Sequence, residues 1–217
     1  MDCSDGEGQR LTETSRRSFA CGVGFGGLTL AIGGTMIPLA SLWSPAYALA
    51  TMDKSLVAFV GSVELAVVNA YGEAAKTGKV TGDALTIAKT FAAHHLSHAS
   101  ALGRSAGDTG KGQPNPKLTQ SVTTMIDSAP DQTAILKIVY GLENAAASTY
   151  LFVIGALSDP NALKATASIL PVESQHAVVI GNMLGMSPGA DTGTYIPAFL
   201  STDAAVQPGQ YPMATGS

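Results

Sequence analysis

Four histidines occur in the 217 residues, His94, His95, His98 and His176, and beyond residue 50 there are only four glutamates, Glu64, Glu73, Glu143 and Glu173. Imidazole and carboxylate groups are the common holders of divalent transition-metal ions. Residues three apart on a helix project from one face, so His95-x-x-His98 and Glu173-x-x-His176 each offer two donors to one ion. Glu64, Glu143 and Glu173 lie within apolar stretches. An unpaired carboxylate there costs several kcal/mol unless it is hydrogen-bonded or bound to a cation. The candidate metal ligands are therefore Glu64, His95, His98, Glu143, Glu173 and His176. Tyr71 and Tyr150 stand seven residues beyond Glu64 and Glu143, two turns along the same face and about 10 Å away. That position suits a hydrogen-bonding role behind the ligands or plain aromatic packing. His94 lies about 100° round the helix from His95 and reads as a flank or alternative ligand, and Glu73 reads as solvated.

Positioning these groups falls to four apolar stripes of helical period. The first runs from about Asp53 to Lys76 with Leu56, Val60, Val63, Val67 and Tyr71 in line; the second follows the capping cluster Thr81-Gly82-Asp83 and carries Ala84, Ile87, Phe91, His95, His98 and Leu102. Asp131 and Gln132 open the third, which continues to Leu157, and Asp159-Pro160 opens the fourth. Rods of roughly 22 to 27 residues, about 33 to 40 Å long, can lie side by side as a four-helix bundle. Short loops make two antiparallel hairpins. The segment from Arg104 to Pro130, rich in Gly, Pro, Asn, Ser and Thr, is long enough to cross the bundle between them. Pro171 should kink the fourth helix before Glu173 or delay its start.

The hairpins look like copies. Glu64 to Tyr71 reads ELAVVNAY and Glu143 to Tyr150 reads ENAAASTY, an offset of 79 (143 − 64), while His95-x-x-His98 and Glu173-x-x-His176 are offset by 78 (173 − 95). Such a pattern predicts a pseudo-twofold bundle from a duplicated helical pair.

On these motifs the sequence resembles the ferritin-like superfamily, closer to its exported or stress- and desiccation-associated branch than to the iron-storage cages, over about Asp53 to Gly185. The resemblance implies an all-α bundle with one Glu on the first and third helices and Glu-x-x-His on the second and fourth, holding two iron or manganese ions. Glu64, Glu143, Glu173, His176 and His98 match that pattern, whereas His95 stands where the family places a bridging carboxylate. Three carboxylates cannot neutralise two divalent ions, so one ion or an unequal pair is expected, with Glu143, Glu173 and His176 the better-preserved set. The metal would be iron, manganese or zinc, with no organic cofactor, and the chemistry oxidation of the ion or reduction of a peroxide. A non-catalytic envelope protein serving stress protection or protein association, with a degenerate site, is the alternative.

The first 50 residues resemble a twin-arginine export signal: Ser15-Arg16-Arg17-Ser18-Phe19, a weakly apolar stretch with Gly22, Gly24, Gly26 and Gly27, and Ala46-Tyr47-Ala48-Leu49-Ala50. Cleavage after Ala48 or Ala50 would leave an exported, periplasmic chain without Cys3 and Cys21, whereas an uncleaved signal would anchor it to a membrane. Residues 51–185 form the expected bundle domain and 186–217 a Pro/Gly-rich tail, strapped over the bundle or against a partner subunit in a homo-oligomer. A hydrophobic share of 46%, 13% charged residues and a net charge of −4 exclude a disordered chain and a polybasic nucleic-acid binder. Mid-helix glutamates argue against a membrane-embedded bundle.

Overall fold

Asp131 and Asp159 each immediately precede an apolar-periodic run, and each carboxylate accepts hydrogen bonds from the first free amides of the helix it opens. Asp131 Oδ1 takes Ala134 N at 2.8 Å, and Asp159 Oδ1 takes Asn161 N at 2.8 Å and Ala162 N at 2.9 Å. Pro160, with no N–H to lose, stands at the first helical position. In the computed structural model, which describes residues 29–32, 35–38, 51–107, 112–189 and 195–213, the helices are α1 (Thr51–Lys76), α2 (Gly82–Ala106), α3 (Pro116–Ser128), α4 (Gln132–Ile154) and α5 (Pro160–Met183). Strands β1 (Thr29–Ile32) and β2 (Thr35–Pro38) pair antiparallel with Thr29 opposite Pro38. Both belong to a separate unit, residues 1–42, distinct from residues 43–217. The export-signal motif and the cleavage positions lie outside the described residues.

The all-helical bundle is built from the hairpins α1–α2 and α4–α5, which meet through α1 against α4 and α2 against α5. Val57, Phe59, Val60, Val63, Val67, Ala70, Leu102, Ile135, Val139, Val153, Ile169 and Ile180 fill its interior. Helix α1 also packs on α3, so it is covered by neighbours around much of its circumference. That accounts for its membrane-like length and hydropathy, and 61% of its most apolar window is buried inside the fold.

The structure refines the expectations from sequence at four places. The crossover between α2 and α4 carries a helix of its own, 13 of its residues forming α3. Asn115 caps it by accepting Leu118 N at 3.1 Å, Pro116 follows at its first position, and Leu118, Val122 and Ile126 bury one narrow stripe. Asn115 is itself buried and holds the helix in place, its N–H donating to Ser62 O at 2.8 Å and its amide to Tyr211 O at 2.9 Å. Thr81 precedes α2 but caps nothing with its hydroxyl; its own N–H is taken by Gln132 Oε1 at 2.9 Å, tying the start of α2 to that of α4. Of the two outcomes open for Pro171, a late start is excluded, because α5 runs from Pro160 through Pro171. Pro171 and Ala167, whose carbonyl loses its donor, are both exposed, so water can satisfy the freed group. The third stripe ends earlier than its periodicity, with α4 stopping at Ile154 and Leu157 buried in the following turn.

The tail straps the bundle in turns and bends. Tyr195 is buried against Gly181 of α5, its hydroxyl donating to Asn182 Oδ1 at 2.6 Å and Val178 O at 3.1 Å, and Val206 N donates to Thr149 Oγ1 at 2.8 Å. A Cβ at position 181 would stand 2.4 Å from Tyr195 Cε2. Gly181→Ala should therefore either expel the Tyr195 ring or cost about 1–3 kcal/mol of stability, the range for overpacking a well-filled site. Urea denaturation measures the loss, and Gly181→Ala combined with Tyr195→Ala should recover part of it.

Candidate metal centre

Each half of the bundle sends the same kinds of side chain to its middle. Helix α1 contributes Glu64 and Tyr71, α2 contributes His94, His95 and His98, α4 contributes Glu143 and Tyr150, and α5 contributes Glu173 and His176. The two tyrosines cross between hairpins: Tyr71 donates to Glu143 Oε1 and Tyr150 donates to Glu64 Oε1. Glutamate and tyrosine are seven residues apart on each helix, so this reciprocity requires α1 and α4 to run in opposite directions past one another. Helix α4 must then start at the end of the bundle opposite the one where α2 finishes. That is why the connection carrying α3 is long.

Between the two glutamates sits His95, fully buried. Its Nδ1 is 2.6 Å from Glu64 Oε2 and its Nε2 is 3.1 Å from Glu143 Oε1. His176 Nδ1 meets Glu143 Oε2 at 3.2 Å, and its Nε2 shares a hydrogen bond of 3.0 Å with His94 Nδ1. Phe91 stacks on the His176 ring with centroids 3.9 Å apart. His98 Nδ1 lies 2.9 Å from Glu173 Oε1 and 3.7 Å from Glu64 Oε2. Glu173 Oε2 is 3.5 Å from His176 Nδ1 and 3.6 Å from His95 Nε2. None of these Glu173 and His98 contacts has hydrogen-bond alignment. Both Glu173 oxygens and His98 Nδ1, with Thr119 Oγ1, are the buried side-chain polar atoms without a hydrogen-bond partner among the described residues.

All six candidate ligands are thus brought together. They form two overlapping groups whose donor atoms lie within 4.8 Å of one another: Glu64, His95, His98 and Glu173, and His95, Glu143, Glu173 and His176. The donors suit a divalent cation of borderline softness such as zinc, iron or manganese, and the orphaned Glu173 oxygens are what such an ion would satisfy. Glu73 stands apart, half-buried and paired with Lys76 at 2.6 Å. From the sequence His94 reads as a flank or alternative ligand and Phe91 as part of an apolar stripe. Phe91 stands one turn before His95 and His94 one turn before His98, and their contacts with His176 follow from the packing of α2 on α5.

Without a cation, protons take its place. Burial alone would push every carboxylate up and every imidazole down. Against it, His95 holds Glu64 down at about 2, and His95 and His176 hold Glu143 far below the usual carboxylate range. Glu173 goes the other way, raised by burial and by the charge of Glu64. Glu143, Glu64 and Glu173 keep His95 protonated well above its ordinary range, contacts with Glu173 and Glu64 lift His98 to about 9, and Glu143 and Glu173 raise His176. His94 is lowered, by partial burial and by the neighbouring imidazolium charges.

Stability of the metal-free chain should follow these signs. The His98 contribution is complete below its ordinary value of 6.5 and lost as pH rises through about 9; that of Glu64 is complete above its ordinary 4.5 and lost as pH falls through about 2. Raised Glu173 opposes Glu64 and softens the acid limb. Thermal melting in chelator should show its maximum between pH 4.5 and 6.5, and His98→Asn should flatten the alkaline fall.

Residues 47–186 match the family model described as a ferritin-like domain. No curated protein and no solved structure matches the chain.

Proposed function

The chain belongs to the ferritin-like domain family, and from that premise we propose that it is an exported metal-binding protein. Its divalent ion would be held inside the bundle by donors drawn from Glu64, His95, His98, Glu143, Glu173 and His176. The observation that carries this reading is Glu173: both of its oxygens are buried without a hydrogen-bond partner, in the middle of two four-donor groups. Leaving a carboxylate so placed is costly, and a cation repays the cost.

A bound iron or manganese ion would supply electron exchange with dioxygen or a peroxide, and a zinc ion would supply stability without redox chemistry. The chain's own residues do the rest. Carboxylates from both hairpins set the charge, Tyr71 and Tyr150 fix the glutamates by hydrogen bonds, and the flanking apolar layers of Val63, Val67, Leu142 and Ile180 keep water from the interior. The twin-arginine-like leader supports export of a chain already folded around its ion, with cleavage after Ala48 or Ala50.

A second reading, a metal-free bundle serving stress protection or association, is favoured by one observation. Three carboxylates facing three imidazoles that burial does not strip of their protons form a cluster that neutralises itself. The two readings separate cleanly. Purified protein with Glu173→Ala and His176→Ala should contain no metal by elemental analysis, where the unaltered chain carries it. A chelator should lower the melting temperature of the unaltered chain and leave the variant's unchanged. Fe(II) added in air to the metal-free chain should raise the near-ultraviolet absorbance if the ion is oxidised. An unchanged metal content in the double variant rejects those ligands.

A further inference from the structure

The two four-donor groups share His95 and Glu173, and the His95 ring turns a different nitrogen to the glutamate that is particular to each: Nδ1 lies 2.6 Å from Glu64, while Nε2 lies 3.1 Å from Glu143 and 3.6 Å from the shared Glu173. A neutral imidazole has one lone pair for a metal and one N–H, so a single ring serves only one group at a time. We infer that the centre holds one ion per chain, on the Nε2 side, with His95, Glu143, Glu173 and His176 as ligands, and that Glu64 is a positioning residue that takes the Nδ1 proton of His95.

Several independent contacts select that side. At 2.6 Å the Glu64 contact has the length of a charge-assisted hydrogen bond, so when His95 gives up one proton to a metal the other stays on Nδ1 and the lone pair opens on Nε2, toward Glu143 and Glu173. Metal-ligating histidines are ordinarily oriented by such an outer carboxylate. Two other members of this group also have an outer partner, His94 on the far nitrogen of His176 at 3.0 Å and the Tyr71 hydroxyl on Glu143, while the far oxygen of Glu173 lies 2.9 Å from His98 Nδ1 without hydrogen-bond alignment. All four ligands are buried, whereas the other group includes half-buried His98.

The internal repeat shows the same imbalance. Shifting His94 by the 78-residue offset gives Val172, and shifting Phe91 gives Ile169. Neither can hydrogen-bond or stack on His98 as His94 and Phe91 do on His176. The duplicated halves have therefore diverged into one equipped side and one unequipped side.

This inference rests on the metal-binding reading above, and one titration separates their fates. Zinc chloride alone is titrated into the metal-free full chain by calorimetry, with stoichiometry checked by elemental analysis after gel filtration. The unaltered chain should saturate at one zinc per chain. Glu64→Gln should keep that stoichiometry with affinity weakened about 10–100-fold, the usual effect of losing an outer partner. His98→Asn should also bind one zinc, and Glu143→Gln should lose tight binding. Two zinc ions per unaltered chain, or loss in Glu64→Gln as complete as in Glu143→Gln, would overturn the inference while leaving metal binding intact. No zinc bound at all would overturn the functional reading and this inference with it. The stoichiometry of the unaltered chain decides even where a variant fails to fold.

Discussion

Three carboxylates sealed inside a bundle of apolar helices must be neutralised, and most of the interior follows from that requirement. Glu64, Glu143 and Glu173 are each almost fully excluded from water. Removing one partner from such a buried charge commonly costs 3–5 kcal/mol, several times the net value of an ordinary hydrogen bond. The helices can therefore be brought together at this level only if positive charge comes with them, from protons on imidazole or from a metal. His95 meets the requirement for two of the glutamates at once, one ring nitrogen to each. Glu173 is left over, and its unsatisfied oxygens mark where the protonic solution falls short.

The same requirement ties the two hairpins together. Tyr71 and Tyr150 each reach across to the other half's glutamate, so the polar centre clamps α1 to α4 where apolar packing alone would tolerate sliding. Antiparallel passage of those helices dictates the long crossover, and α3 with Asn115 turns that crossover into a packed element. Crossover, clamp and centre answer one demand: buried charge must be neutralised as the two hairpins come together.

Much of this was legible in the residues. Periodicity and the Asp131 and Asp159 caps located four helices, because long amphipathic stripes with acidic caps have few other solutions. The His-x-x-His and Glu-x-x-His spacings located the centre, because buried carboxylates need partners. Helix α3 was hidden by composition: Lys117, Ser121, Thr124 and Ser128 face solvent, and the buried stripe is only Leu118, Val122 and Ile126, too short to stand out from a loop rich in Gly and Pro. The crossing of the tyrosines could not be read, since spacing fixes a helix face but not the partner it meets. Likewise, one-dimensional spacing is silent on which ring nitrogen of His95 meets which glutamate, and His94 reached His176 through a helix pairing that only the fold reveals.

Anomalous diffraction from crystals grown with manganese or zinc would test the central claim most directly. One interior peak is expected, among His95 Nε2, Glu143, Glu173 and His176. An interior with no peak and the carboxylate–imidazole pairs unchanged, with ions only on the surface, would contradict it.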